Sequence, residues 1–430
     1  ETDIVDIVRP ITKFSAQITD PQKIKYFLDK AVYEARSGRP GPVLLDIPLN
    51  VQHAEIDPDK LEGYKPQPEP DKTDLLLKEK IKSVLDLIGK ATRPVILAGG
   101  GIKLAKAEKE FIELIEKLGI PVVCSWSGFD ILGYDHPLFV GQMGIYGNRG
   151  ANFLIQNSDL LLSIGSRLDT RQVTTSPNSF ARVAKKIIVD IDASELNKNR
   201  VAADLAIQSD AKKFIKEFLK ELPDLKRPDI SAWLSRASVW KNKYPGCLPE
   251  YFNQKEKVNP YVFTKILSEE LLNDDIIIPD EGGNLVWTMQ AFEIKAGQKL
   301  FSAFGNSPMG YALPASIGAA FGSGRDRIIC IDGDGGFQMN IQELQTVVHY
   351  KLPIKIFILN NHCYGIIRQF QDVYFGGAHQ ATVRETGYSA PDFVKIANVY
   401  GIASESIVSH QELREKVKKV INSNGAVLCD

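Results

Sequence analysis

Cysteine is scarce in this 430-residue sequence, and its spacing matches no familiar framework. The five cysteines are Cys124, Cys247, Cys330, Cys363 and Cys429. They form no CxxC pair, and Cys330 lies inside an apolar run. This pattern argues against a disulfide framework and indicates reduced, intracellular thiols.

The sequence also lacks an excess of charge, a long apolar run and the usual signals of a chain start. The formal net charge is −1 without a basic block, so the sequence predicts neither a nucleic-acid partner nor an anionic membrane surface. No apolar stretch reaches the ~18 residues of a transmembrane helix. Because the chain opens on Glu1 without a signal peptide and closes on the apolar "GAVLCD", we expect an internal piece of a longer protein. The expected location is the cytoplasm, or an organelle since the N-terminus is missing.

Short apolar runs that alternate with helical patterns dominate the sequence. They include "GPVLLDIP", "RPVILAGGG", "IPVVCSW", "DLLLSIGS", "KIIVDID", "NDDIIIP", "DRIICIDG" and "LPIKIFILNN". A helix is predicted over 20–38, with Asp20 as N-cap and Gly38 just past its end. The alternation predicts an α/β fold of parallel sheets with helices on both faces.

Composition shifts divide the chain into three structured segments. Prolines and charges in "DPDKLEGYKPQPEPDK" predict a linker at 57–75, which separates segment 1–56 from segment 76–225. A second connection is predicted at 226–258, before the segment 259–430.

Two polar turns at strand ends carry the strongest chemical signal. Asp334 follows the predicted strand "RIICID", and Asn361 follows "IKIFILN" after one helix. If this βαβ unit places the two strands side by side, they lie about 4.8 Å apart and open on one sheet edge. Carboxylate and amide oxygens at that edge suit Mg²⁺.

Glycines surround the first of these turns. Gly333, Gly335 and Gly336 would let backbone N–H groups approach a phosphate, and the next helix would present its positive end. The turn therefore predicts a magnesium–diphosphate site. The alternative is a pair of structural turns in which Asp334 is only a cap.

The GDG and NN turns at this spacing resemble the signature of thiamine-diphosphate (ThDP) enzymes. Over essentially its whole length the chain resembles the acetohydroxyacid (acetolactate) synthase large-subunit family. The matching segments are "ETDIVDIVRPITK", "SGRPGPVLLDIP", "GSRLDTR", "VDIDASELNKN", "MGYALPASIGAA" and "IDGDGGFQMNIQEL". The resemblance implies that 1–56 ends a pyrimidine-binding domain, that 76–225 is an FAD-binding-like domain and that 259–430 is a diphosphate-binding domain without its C-terminus.

The resemblance also implies cofactor residues. Asp334, Asn361 and the carbonyl of Cys363 would bind Mg²⁺. The implied ThDP residues are Gly282, Gly283, Asn284, Ser307, Met309, Gly333, Gly335, Gly336, Tyr364, Gly365 and Ile366. Met309 matches the residue that holds ThDP in a bent shape, although the sequence by itself favours ordinary core packing there.

FAD is the third implied cofactor. Its implied residues are Gly99, Gly100, Gly101, Gly141, Gly165, Arg167, Asp169, Arg171, Asp190, Asp192 and Asp210. The alternative is a middle domain that keeps the fold and has lost the flavin. Arg171 would also bind the carboxylate of a second 2-oxo acid, the alternative being a salt bridge at the sheet edge.

The implied activity is a carboligation: pyruvate loses CO₂, and its two-carbon unit is joined to a second 2-oxo acid in branched-chain amino acid biosynthesis. Arg171, Met309 and Phe370 are the implied catalytic-site residues, and the family's catalytic Glu lies outside this chain. The implied assembly is a homodimer or tetramer with active sites between subunits and a possible small regulatory subunit, so the chain by itself should be inactive.

Several positions depart from the family pattern. Pro48–Leu49 stand where the family has a Lys, Thr170 interrupts "DDR", Met143 replaces a His, and Phe370 replaces a Trp. The cofactor loop "GQHQ" has become 282–285, Gly-Gly-Asn-Leu. These changes leave three alternatives open: a paralogous ThDP lyase with another acceptor such as a keto sugar, a non-catalytic cofactor-binding subunit, and a nicotinamide oxidoreductase. The last is disfavoured because "AGGGIK" lacks the GxGxxG spacing.

Overall fold

The computed structural model describes residues 2–66, 73–198, 200–222, 225 and 228–430. Over these residues the strands form one two-stranded and two six-stranded sheets, in which all pairings are parallel. The predicted α/β class is confirmed. No helix of the described chain has the length and apolar character needed to cross a bilayer.

The N-terminal segment is a small βαβ unit. Its elements are α1 Ile4–Val8, β1 Phe14–Gln17, α2 Ile24–Arg36, β2 Val43–Asp46 and α3 Leu49–Gln52. Strands β1 and β2 pair in parallel, and α2 connects them. Asp20 accepts a hydrogen bond from the N–H of Gln22 at 3.0 Å, so it caps the turn that leads into α2 as predicted.

The first six-stranded sheet has the order β5-β4-β3-β6-β7-β8. Its strands are β3 Pro94–Ala98, β4 Val122–Cys124, β5 Phe139–Gln142, β6 Leu160–Ile164, β7 Lys185–Asp190 and β8 Leu205–Gln208. The helices of this part are α4 Thr73–Lys90, α5 Gly101–Leu104, α6 Glu108–Leu118, α7 Arg149–Asn157, α8 Thr170–Val173, α9 Ala193–Asn197, α10 Ala211–Glu221 and α11 Ser231–Lys243. The chain adds strands on one side of β3 and then on the other, so the order reverses between β3 and β6, where such sheets open a crevice for ligands.

The second six-stranded sheet has the order β10-β9-β11-β12-β14-β13. Its strands are β9 Ile276–Pro279, β10 Lys299–Leu300, β11 Ile328–Gly333, β12 Ile354–Leu359, β13 Ala403–Glu405 and β14 Val427–Cys429. Its helices are α12 Pro260–Glu270, α13 Gly283–Ala291, α14 Ala312–Ser323, α15 Asp334–Phe337, α16 Leu344–His349, α17 Gly365–Tyr374, α18 Phe393–Tyr400 and α19 His410–Asn422. Here the reversal lies between β9 and β11.

Buried apolar side chains join the helices to both sheets. On α16, Leu344 and Val347 are fully buried against the second sheet, as their helical spacing predicts. Helix α11 lies in the stretch 226–258, where its Trp233 is buried and donates a hydrogen bond to the carbonyl of Pro94 at 2.9 Å. This helix therefore packs against the first sheet.

Two glycine turns touch directly at the reversal of the first sheet. The N–H of Gly101 donates to the carbonyl of Gly165 at 2.9 Å. A Cβ atom on Gly99 would overlap that same carbonyl, and one on Gly101 would lie 2.7 Å from the Cα of Gly165. Only glycine fits these positions, because the two loops meet backbone to backbone.

We expect Gly99→Ala to destabilise the protein by about 2 kcal/mol or more, since overpacking a rigid contact forces the backbone to move. The matched control is Gly322→Ala on α14, where a Cβ would meet nothing within 4 Å. Thermal unfolding followed by circular dichroism measures both variants. Equal midpoints for the two variants would contradict the packing argument.

Candidate functional site

The carboxyl ends of three neighbouring strands meet at one edge of the second sheet. Ile331 of β11 pairs with Pro279 of β9, and Gly333 pairs with Leu359 of β12. The prediction that β11 and β12 are parallel neighbours is confirmed. The residues that follow these strands, including Asp334 and Asn361, therefore emerge on the same side.

Asp334 and Asn361 approach each other at this edge. Asp334 is buried, and its Oδ2 accepts a hydrogen bond from the hydroxyl of Tyr388 at 2.6 Å. Burial raises the pKa of Asp334, while the Tyr388 hydroxyl and the backbone N–H of Asn361 offset part of this effect. The Oδ1 of Asn361 accepts a hydrogen bond from the N–H of Cys363 at 3.2 Å, so the residue that carries the third predicted oxygen donor belongs to the same turn.

This donor set is made of oxygen atoms rather than of a histidine or cysteine cluster. Among the described residues, no group of three His, Cys, Asp or Glu side chains is placed to hold a metal. A carboxylate, a carboxamide and a carbonyl are hard ligands, and a cation there would offset the cost of burying the Asp334 charge. The residues present thus fit a Mg²⁺ ion that shares its coordination sphere with phosphate oxygens.

Glycines let neighbouring side chains pack closely against the backbone of this turn. A Cβ on Gly335 would overlap the ring of Tyr364, and one on Gly336 would overlap the carboxylate of Asp280. At Gly333 a Cβ would lie 3.3 Å from Nδ2 of Asn284. A side chain at Gly335 or Gly336 would therefore displace groups that pack against the turn.

Asn284 contributes a polar atom that has no hydrogen-bond partner among the described residues. It lies in the first turn of α13, whose N-cap Gly282 has a φ of 116°. Asn284 is buried, and its Oδ1 makes no hydrogen bond within the described part of the chain. An unsatisfied buried carbonyl in this position is what a bound polar ligand would satisfy.

A buried carboxyl pair that the sequence analysis missed supports this edge. The two oxygens of Asp280 accept hydrogen bonds from the N–H groups of Gly310 and Ala312, both at 3.0 Å. Asp332 lies beside Asp280, and its Oδ1 accepts from Gly333 at 2.8 Å. Burial raises the pKa of both carboxyl groups. Asp280 directly follows the predicted strand "NDDIIIP", and this position at a strand end could have indicated its role from the sequence.

The loop 301–309 connects this edge to the first sheet through Arg171. The guanidinium donates to the carbonyl of Phe304 at 2.9 Å and to the hydroxyl of Ser307, and it lies 5.3 Å from the ring centre of Trp126. Phe304 and Ser307 have positive φ values of 39° and 51°. Such strained backbone persists only where its surroundings fix it, and it is common at functional sites.

The contacts of Arg171 are mainly to neutral groups. Its nearest ion-pair partner is Glu281, with 4.0 Å between Nη1 and Oε2, and its side chain is 38% exposed. The predicted alternative, a salt bridge at the sheet edge, would rest on this one long ion pair, and both roles of Arg171 stay predictions.

Two other predicted residues lie on the periphery of the site. Met309 is half-buried and belongs to neither cluster of buried apolar side chains in the described chain, which does not match ordinary core packing. Phe370 is half-exposed on α17. Gly365 and Ile366 begin that helix, while Tyr364 precedes it and packs edge-on against Tyr388 with ring centres 4.5 Å apart.

A cavity of about 800 Å³ opens at the reversal of the first sheet. The N-terminal segment contributes Arg36 and Arg39 to its lining, and the loop after β10 contributes Phe304 and Gly305. The predicted flavin residues that line it are Gly100, Gly101, Gly165, Arg167, Asp169, Arg171, Asp190 and Asp210. Eight residues predicted from separate parts of the sequence thus surround one space large enough for a dinucleotide.

Three predicted flavin residues are not part of this lining. Gly99 packs against the turn at Gly165, and Gly141 lies within β5 with Asn148 against it. Asp192 caps α9 by accepting from the N–H of Ser194 at 2.8 Å, and it forms an ion pair with Arg39 at 2.9 Å. Their flavin roles stay predictions.

The acidic residues of the lining also have local structural roles. Asp169 and Asp210 cap α8 and α10 through their side chains. Asp190 accepts from the N–H of Asp192 at 3.0 Å, and burial raises its pKa. Cationic lining residues outnumber these three: they are Arg36, Arg39, Lys103, Lys106, Arg167 and Arg171. Arg39, Lys103 and Arg167 are ion-paired with nearby carboxylates. The charges of Arg36, Lys106 and Arg171 are more available, and they suit a ligand with phosphate groups.

Comparison with known families and proteins agrees with this geometry. Residues 81–218 match the family described as thiamine pyrophosphate enzyme, central domain, and residues 280–430 match the thiamine pyrophosphate enzyme C-terminal TPP binding domain. The two matched regions contain the two six-stranded sheets, except for β9.

Individual relatives extend the similarity to the whole chain. A protein from Methanocaldococcus jannaschii named probable acetolactate synthase large subunit is 37% identical, over 100% of this chain and 73% of the relative. Proteins named acetolactate synthase large subunit from Cyanidium caldarium and Corynebacterium glutamicum are each 34% identical. The alignment with the Cyanidium caldarium protein covers 100% of this chain and 73% of that protein. The alignment with the Corynebacterium glutamicum protein covers 99% of this chain and 67% of that protein.

Proposed function

The chain belongs to the acetolactate synthase large-subunit family of thiamine-diphosphate enzymes, and we propose that the protein joins the two-carbon unit of pyruvate to a second 2-oxo acid. The observation that carries this proposal is the meeting of Asp334, the Asn361 turn and the glycine turn at one sheet edge. It favours a cofactor-binding enzyme over a pair of structural turns.

The residues of this edge have separate roles in the proposal. Asp334, Asn361 and the carbonyl of Cys363 would hold Mg²⁺, and Gly335 and Gly336 would face the diphosphate. When bound, ThDP supplies the nucleophilic carbon and the electron sink for decarboxylation. The remaining proposed ThDP residues are Gly282, Gly283, Asn284, Ser307, Met309, Gly333, Tyr364, Gly365 and Ile366. The protein's part is to orient the reactants and to keep water away from the reacting carbons.

We expect Asp334→Ala to abolish the Mg²⁺-dependent binding of ThDP, because it removes the only charged ligand of the proposed metal. Titration calorimetry of the full-length protein with ThDP, with and without Mg²⁺, measures the effect. Asp326→Ala is the matched control, since Asp326 is exposed at the opposite end of β11. An unchanged affinity in Asp334→Ala would remove the metal assignment.

FAD is the proposed occupant of the large cavity. Support comes from its volume, its position at the sheet reversal, its glycine turns and the cationic side chains of Arg36, Lys106 and Arg171 in its lining. The flavin needs no redox step in this reaction, so its proposed role is structural. The cavity is lined by residues of all three segments of the chain, and a bound dinucleotide would fix them together.

Purified full-length protein should show flavin absorbance and release FAD on denaturation. Ala105→Trp should lose most of this flavin, because Ala105 lines the cavity and is only half-buried, so the larger ring would enter the space of the ligand. A colourless wild-type protein with full activity would contradict the FAD proposal. Release of FMN instead would contradict the dinucleotide part of it.

The acceptor is the least constrained part of the proposed reaction. Arg171 is the residue proposed to bind its carboxylate, and support comes from a guanidinium that is held by neutral acceptors and stays partly open to the cavity. Phe370 is exposed on α17 where the family has a larger Trp. Its smaller ring favours the second candidate, a paralogous carboligase that takes a bulkier acceptor such as a keto sugar.

Product analysis of the full-length protein with ThDP, Mg²⁺, pyruvate and 2-oxobutyrate tests both candidates. We expect acetolactate from pyruvate alone. Phe370→Trp should shift the mixed product ratio toward the 2-oxobutyrate adduct by about tenfold, in line with a packing difference of ~1–2 kcal/mol. An unaltered ratio would contradict the role of Phe370, and no carboligation of pyruvate would favour the paralogue.

A homodimer or a tetramer, with active sites between subunits, is the proposed assembly. Helix α17 follows the metal-binding turn and exposes Ile367, Phe370, Val373 and Tyr374, each at least 47% exposed. Four exposed apolar side chains on one helix beside a functional site are typical of a protein interface. A small regulatory subunit is a further proposed partner.

A further inference from the structure

Glu281 is a buried carboxyl group to which the proposed reaction gives no role. It directly follows Asp280 at the end of β9, and its side chain is only 8% exposed. Its Oε1 makes no hydrogen bond within the described part of the chain. A carboxyl group in such a position is costly to bury, so its charge state depends on the few groups around it.

Three groups face this carboxyl group. Arg171 Nη1 lies 4.0 Å from its Oε2, the hydroxyl of Ser307 is within hydrogen-bonding reach, and Asp280 adds negative charge from the same strand end. Burial raises the pKa of Glu281 to about 7, against the opposing effects of Arg171 and Ser307. The protonated and the ionised forms are therefore both populated near neutral pH.

Arg171 keeps its position whether or not Glu281 is charged. Its two terminal nitrogens donate to the carbonyl of Phe304 and to the hydroxyl of Ser307, both of which are neutral. At 4.0 Å, Glu281 is too far for a direct hydrogen bond to the guanidinium but close enough to offset its charge. The charge that Arg171 offers to an anion in the cavity thus depends on Glu281.

We propose that Glu281 is a positioning residue that controls, by gaining or losing one proton, how strongly Arg171 binds the carboxylate of a 2-oxo acid. Neutral Glu281 leaves the guanidinium charge available to the substrate. Ionised Glu281 competes with the substrate for the positive charge of Arg171. At a pH where Glu281 is ionised in the free protein, binding of the carboxylate therefore takes up one proton from solvent onto Glu281. This inference rests on the proposed function only for the chemical class of the ligand.

Oxamate is a suitable probe, because it keeps the carboxylate of pyruvate and cannot be decarboxylated. Calorimetric titration of the holoenzyme in buffers of different ionisation enthalpy gives both Kd and proton uptake. For the wild type we expect Kd to rise roughly tenfold between about pH 6 and about pH 8, with proton uptake appearing over the same range. Glu281→Gln should bind oxamate with a Kd that changes little with pH and without proton uptake.

The matched control is Glu415→Gln, an exposed carboxamide substitution on α19, which should behave as the wild type. Identical pH dependence in Glu281→Gln and wild type, or no oxamate binding at any pH, would overturn the inference. If the Gln variant does not fold, Glu281→Ala gives the same comparison. Product analysis separates the two proposals: a holoenzyme that binds oxamate as expected yet makes no carboligation product contradicts the proposed reaction and leaves the role of Glu281 intact.

Discussion

The buried carboxylate of Asp280 holds the candidate active site together. It is fixed at the end of β9, and it binds the N–H groups of Gly310 and Ala312 at the start of α14. The same carboxylate fills the space that a side chain at Gly336 would need. One buried acid thus sets the distance between the glycine turn of the proposed diphosphate site and the segment that carries Met309. Removing it would leave two N–H groups unsatisfied in the interior, which is expensive.

Both candidate sites lie where the strand order of a parallel sheet reverses. At such a point neighbouring connections pass to opposite faces, so the ends of the two strands are left uncovered. Gly100 and Gly165 occupy this position in the first sheet, and Asp280 and Asp334 occupy it in the second. The glycines are required there because the two turns meet closely, and the acids are tolerated because backbone N–H groups surround them.

The sequence predicted the central strands and the shared edge well, because long apolar runs and glycine turns encode them directly. It missed short or polar edge strands such as β8 and β13, whose few apolar residues give no clear period. Tyr388 and Glu281 were also missed. Tyr388 lies 54 positions from Asp334 along the chain, and only tertiary packing brings its hydroxyl to that carboxylate. Glu281 differs from a surface acid only through burial, which no local pattern reveals.

A single loop connects the two sites physically. Phe304 and Gly305 line the large cavity, and two residues later Ser307 binds the guanidinium of Arg171. The loop then passes through Met309 to Gly310, which is anchored on Asp280. Because Phe304 and Ser307 hold positive φ values, the loop has little freedom to change shape without releasing these contacts. A ligand that fills the cavity would therefore order the same loop that carries Met309 and that accepts the hydrogen bonds of Arg171. The proposed dinucleotide would in this way support the geometry of the proposed reaction without taking part in a redox step.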